Sequence, residues 1–137
     1  IRIRVLMFKA QISDIKGAAD IYEVEFLLES GSKFHGVFLE LKPGAAVGDG
    51  VRIGFKNTDV VLSRAPLKDV SLQNEIRVKI SDLKLGEILC VASLEGELKF
   101  EAIISAKSAR ELALRVGDEL YAYVSCSAIY IQKYDND

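Results

Sequence analysis

The chain has 137 residues, of which half are apolar and 28% charged, and it carries a net charge of −2. This composition excludes a disordered chain, and the slight acidity argues against a nucleic-acid surface, which selects basic faces. Its two cysteines, Cys90 and Cys126, lack metal-ligand spacing and make no disulfide framework, so reduced thiols are expected.

Residues 1–5 alternate apolar and polar as Ile1-Arg2-Ile3-Arg4-Val5, the period of a half-buried strand. Residues 21–28 are rich in β-formers, and Ser30-Gly31-Ser32 reads as a hairpin loop leading into a strand over 33–39. Strands over 51–55 and 60–62 complete a first unit. Arg64-Ala65-Pro66 suits a linker, because Pro66 cannot donate to a ladder. A second series follows: 76–80, 88–94, a turn at Glu95-Gly96, 98–104, 120–124 and 128–131. Within it, residues 105–114 are helix formers. Ser105 or Lys107-Ser108 opens that helix, Ser108 with Glu111 fits a capping box, and Gly117 lies just past its end.

The two series are copies. Ile12-Ser13-Asp14-Ile15-Lys16 recurs as Ile80-Ser81-Asp82-Leu83-Lys84, offset by 68. Lys33-Phe34 recurs as Lys99-Phe100 (offset 66), and Val47-Gly48-Asp49 as Val116-Gly117-Asp118 (offset 69). Offsets that drift by two or three residues place the gaps in loops, where repeats tolerate them. In the first copy, Lys42-Pro43-Gly44-Ala45-Ala46 stands in place of the helix. The expectation is an all-β chain of two tandem OB-like small β-barrels, residues 1–64 and 65–137, with one short helix in the second.

Val51-Arg52-Ile53-Gly54-Phe55, Thr58-Asp59-Val60-Val61-Leu62 and Val70-Ser71-Leu72-Gln73-Asn74 are followed by Ser108-Ala109-Arg110-Glu111-Leu112 and Val116-Gly117-Asp118-Glu119-Leu120-Tyr121. In these stretches the chain resembles the molybdate-binding Mop (TOBE) family. It is most similar to the C-terminal regulatory region of the ATP-binding subunit of molybdate ABC importers. The resemblance is strong from Val47 onward and weak before Ile12. It implies two OB-like units that pair as a homodimer, with molybdate or tungstate held between units and no cofactor. It also implies a non-catalytic, cytoplasmic chain at the inner membrane face. That chain would meet a permease through a parent protein whose ATPase domain lies upstream of Ile1. No nucleic acid is bound by this chain and nothing inserts in the membrane. Residue 1 is Ile, and initiator Met is rarely removed before a bulky residue; a fragment and a trimmed end both fit. A ligand-free docking module, the effector domain of a transcription regulator and a free-standing molybdate-storage protein are the alternatives.

A tetrahedral dianion needs donors and no facing carboxylate. The family draws them from a Ser-x-Arg-Asn stretch, from a Ser/Thr loop opening the short helix, and from a Lys before the last strand. By this resemblance the site residues are Ser71, Gln73, Asn74, Ser105, Lys107, Ser108, Ser125 and Cys126. Gln73 stands where Arg is usual and Ser125 where Lys is usual, so both fixed charges are missing from the second unit. Lys56 in the first unit aligns with Ser125 and marks a second site.

The remaining chemistry-bearing residues read as structural. His35, the only histidine, lies in a strand with no partner motif. Glu23, Glu25 and Glu29 alternate on a solvated face. Gly44, Gly48, Gly50 and Gly54 lack the Lys-Ser/Thr of a phosphate loop. Tyr121, Tyr123 and Tyr130 lack the basic flank of a base-stacking platform.

Overall fold

A computed structural model describes residues 1–136. Its strands are β1 (Val5–Ala18), β2 (Ile21–Leu28), β3 (Lys33–Phe38), β4 (Gly50–Lys56), β5 (Val61–Ser63), β6 (Asn74–Leu85), β7 (Leu89–Gly96), β8 (Phe100–Ser105), β9 (Glu119–Val124) and β10 (Tyr130–Tyr134). One helix, α1 (Ala106–Glu111), follows β8, and short 3-10 turns occupy Asn57–Asp59 and Cys126–Ala128. Among the described residues no helix is long and apolar enough to cross a membrane.

The strands form two five-stranded antiparallel sheets, in the orders β10-β4-β1-β2-β3 and β5-β9-β6-β7-β8. The all-β, OB-like expectation is borne out. Each sheet, however, takes its outermost strand from the other half of the sequence. β5 leaves the first half to pair with β9 (Leu62 opposite Ala122), and β10 leaves the second to pair with β4 (Ile131 opposite Ile53). The sheets are thus built across the repeat boundary at 64/65.

The repeated motifs are the joints of this frame. β1 and β6 each carry a bulge, between Ile12 and Asp14 and between Ile80 and Asp82. Ile12 donates to Asp49 O and accepts from Gly48 N; Ile80 does the same with Asp118 O and Gly117 N, all at 2.8–2.9 Å. Ser13 and Ser81 donate across the bulge to the carbonyls of Glu25 and Ser93. Gly48 and Gly117 have φ of +100° and +94°, a region glycine enters at no steric cost. Asp49 and Asp118 close their own turns by accepting from Ala46 N and Arg115 N.

Strand exchange merges the two halves into one apolar core. Phe55 of β4 packs on Phe8 (ring centroids 5.5 Å) and Phe34 (6.5 Å) of its own sheet and, edge-on, on Phe100 of the other (5.6 Å). Such pairs add to burial when offset or edge-to-face.

Two expectations need correction. Residues 1–4 alternate but lie outside β1, because the ladder with β4 begins at Val5 opposite Lys56 and no strand extends beyond. Ala128 belongs to the turn before β10, because Ser125 and Cys126 draw the chain into a 3-10 turn: Ala128 N donates to Ser125 O and Ile129 N to Cys126 O.

Two measurements check this frame. A Cβ on Gly54 would lie 2.1 Å from Leu6 O. Gly54→Ala therefore forces β1 and β4 apart and costs about 1–3 kcal/mol, read from the urea midpoint. The Arg64 guanidinium and the Arg115 amide hold the Asp118 carboxyl below its ordinary value. A lowered folded value means that this stabilisation is present above the unfolded pKa and is lost as pH falls through the folded one. Arg64→Leu should raise the Asp118 titration midpoint toward the ordinary value in a carboxyl-carbon NMR titration.

Candidate oxyanion site

Seven of the eight expected site residues divide between two junctions, one at each place where an exchanged strand enters the opposite sheet. The Cys126–Ala128 turn packs against β3, and Ile129 lies against Gly36. The Asn57–Asp59 turn, which Lys56 opens, packs against β8, whose last residue caps α1.

The β3 junction gathers Gln73, Asn74, Ser125 and Cys126, and several of their polar atoms bond to one another or to the backbone. Asn74 is 1% exposed. Its Oδ1 accepts from His35 N at 2.7 Å and its Nδ2 donates to His35 O at 2.9 Å. This clasp ties the start of β6 to β3, so the Asn74 side chain is a structural pin that spends its Oδ1 and one of its two Nδ2 hydrogens on His35. The Cys126 thiol donates to Gln73 Oε1 at 2.7 Å, and burial raises its pKa, keeping it protonated. Ser125 Oγ accepts from Ser127 N, while Ser71 is exposed in a bend. Nothing in this group is cationic.

The α1 junction gathers Ser105, Lys107 and Ser108. Ser105 caps the helix, accepting from Ser108 N at 3.0 Å and donating to Ser108 Oγ at 2.8 Å. The helix begins at Ser105, and the Ser108–Glu111 capping box is not formed, because Ser108 is itself the third helical residue. Ala106 N donates to Ile88 O, so two opening amides are committed. The Lys107 ammonium lies 3.9 Å from Glu111, an exposed pair of little strength. A cavity of about 480 Å³ beside these residues is lined by Ser105, Ser108, Ile103, Val60, Leu62 and Glu111, whose carboxylate Lys107 partly balances. Val60 and Leu62 flank and enter the exchanged strand β5, so both halves wall this cavity.

Sequence reasoning missed the residues that complete the α1 junction. Asn57 is fully buried; it donates from Nδ2 to Arg2 O, and its Oδ1 accepts from Arg4 N, each at 3.1 Å. This pins the N-terminal segment beside Lys56, and Arg4 reaches across to an ion pair with Glu101 on β8. By register, Leu6 opposite Phe55 corresponds to Asn74 opposite Val124, so Arg2–Arg4 take the place held by 70–72 in the second half. The available signal was Asn57, a polar residue aligned with Cys126 directly after Lys56.

No family model matches the chain. Over 82 residues, 59% of its length, it is 34% identical to the molybdate/tungstate import ATP-binding protein WtpC of Pyrococcus abyssi (strain GE5 / Orsay). The chain spans 24% of that relative's length. Its structure matches that of the cytoplasmic molybdate-binding protein ModG, in a crystal form with molybdate bound, at a TM-score of 0.83 over 91% of this chain and 93% of that one, with 23% identity. The fold is of the Mop/TOBE type. In this Mop/TOBE-type fold, His35 is held through its backbone by Asn74, and its ring nitrogen Nε2 lies 3.2 Å from Glu25. Glu25 is lowered in pKa first by the Ser13 hydroxyl and then by His35 and Lys33. Tyr123 is buried, while Tyr121 and Tyr130 lie on different sheets.

Asn74→Ala leaves both His35 backbone groups without their partner. It should cost about 1–3 kcal/mol in urea unfolding, whereas Gln73→Ala on the exposed side should change stability by less than about 0.5 kcal/mol.

Proposed function

We propose that this chain binds molybdate or tungstate at the α1 junction, as the regulatory domain of an importer's ATP-binding subunit. The observation that carries the reading is the strand exchange. Taken alone, each half lacks part of an oxyanion site: the first has Lys56 but no helix, and the second has the Ser-capped helix but no lysine. Crossing β5 to the second sheet packs the turn opened by Lys56 against β8, and the Asn57-pinned Arg2–Arg4 segment comes with it. The Ser108 hydroxyl supplies a neutral donor, the Ser105 hydroxyl being spent on Ser108 Oγ, and Lys56 with Arg2 supplies the positive charge that a dianion requires. The β3 junction, neutral and internally bonded, serves the fold.

A ligand held between α1 and the Asn57–Asp59 turn bridges both halves. It would stiffen their relation, the change a regulatory domain passes to its parent. Likeness to WtpC supports the importer setting. ModG, matched over 93% of its chain, supports a free-standing cytoplasmic binding protein as the second reading. A phosphate loop in the reading frame upstream of Ile1 favours the first, and its absence the second.

Calorimetric titration of the chain should give saturable heat and a raised Tm with molybdate and tungstate. Ser108→Glu, which puts like charge at the helix start, should abolish both. Lys56→Gln should weaken binding about tenfold or more, since a charge-assisted hydrogen bond contributes roughly 1.5–3 kcal/mol. Cys126→Ser should leave affinity unchanged. No heat at millimolar ligand would leave a ligand-free docking module, and binding that survives Ser108→Glu would place the ligand elsewhere.

A further inference from the structure

The outer face of the second sheet carries a hollow that the oxyanion site does not use. It holds about 460 Å³ between β6 and β9 and is lined by Arg64, Arg77, Lys79, Glu119 and Tyr121. Ile76, Val78 and Ile80 face the core, so the alternate residues Arg77 and Lys79 project outward. In the ladder, Arg77 stands opposite Tyr121 and Lys79 opposite Glu119.

The three cations differ in how they are held. Arg64 is fixed by Leu112 O (2.8 Å), Ala113 O (2.9 Å) and Asp118 Oδ2 (2.8 Å), so its charge is balanced and it forms a rigid wall. Arg77 lies over the Tyr121 ring at 5.5 Å and touches the Tyr121 hydroxyl at 3.4 Å, which orients its guanidinium and leaves most of its donors free. Lys79 has no hydrogen bond or ion pair among the described residues, although Glu119 sits across from it. Its ammonium is therefore spare. Arg77 and Lys79, two positions apart on one strand, face the same side with donors unspent.

We propose that this hollow is a second anion site, which binds the phosphate group of a small organic phosphate. Arg77 offers a planar fork that suits phosphate oxygens, and Lys79 adds a point charge beside it. Glu119, which lines the hollow opposite Lys79, disfavours phosphate beside it and accepts a hydrogen bond from a hydroxyl. It thus favours a sugar-like body attached to one phosphate over a polyphosphate or a nucleic-acid strand. The volume falls within the range of small-ligand sites. The hollow lies at the opposite end of α1 from Ser105, since Arg64 grips the carbonyls that follow the helix.

Ribose 5-phosphate, inorganic phosphate and ribose are the probes, titrated by calorimetry into the full chain. Saturable binding of ribose 5-phosphate with none of ribose is expected. Lys79→Glu and Arg77→Gln should each weaken it tenfold or more with an unchanged melting profile. Inorganic phosphate binding as tightly as the ester would support the anion site and identify free phosphate as its occupant. Ser108→Glu should leave phosphate binding intact, while Lys79→Glu should leave molybdate binding intact, so the two sites stand or fall separately. Absence of saturable binding at millimolar phosphate ester would overturn the proposal, as would binding indifferent to Lys79→Glu, whose side chain is exposed and unpaired and whose loss does not threaten the fold.

Discussion

The exchange of edge strands between the two halves is the constraint on which the rest of this structure depends. β5 and β10 are short, and each takes the edge that the other would fill if both stayed in their own half's sheet. By crossing, each completes the opposite sheet and draws the turn before it into the opposite half. One apolar core results, with Phe55 of the first sheet meeting Phe100 of the second. A polar residue anchors each crossing: Asn57 pins the N-terminal segment to one turn, and Asn74 pins β6 to β3. Both are buried with every amide group bonded, as buried polar groups must be.

From this common frame the two junctions diverge in chemistry. Each has a turn of similar shape, opened by Lys56 in one and Ser125 in the other. The Lys56 junction meets a capped helix and collects Arg2 and Arg4, whereas the Ser125 junction meets β3 and is knit by the Cys126–Gln73 and Asn74–His35 bonds. Duplication supplied two equivalent places. One sets Lys56 beside β8 and the capped helix, and in the other Asn74, Gln73, Ser125 and Cys126 bond internally.

Much of the frame was legible in the sequence. Period-two alternation marked the strands, and the Ile-Ser-Asp and Val-Gly-Asp repeats marked the two copies. Those repeats turn out to be the bulge and the turn that grip each other, Ile12 with Gly48 and Asp49, and Ile80 with Gly117 and Asp118. They recur because a local backbone device needs a serine to bridge the bulge, a glycine at positive φ and an aspartate to close the turn. Residues 1–4 carried the same alternation without forming a strand, since alternation states which face a residue would take and not whether a partner strand is present.

The candidate site was legible only in part. Ser105 as the helix cap follows from local chemistry: a serine hydroxyl accepts an amide three residues on. The sequence placed Asn74 among the donors and Lys56 at a second site; it did not show that Asn74 clasps His35 or that the turn opened by Lys56 packs against β8. The sequence by itself determined the strands, the duplication, the turn chemistry and the capped helix, because these depend on residues a few positions apart. Only the tertiary structure decided that the helix of one half and the lysine of the other share a junction. A short edge strand joins whichever sheet offers it an open edge and an apolar seam, and nothing in its own few residues names that sheet.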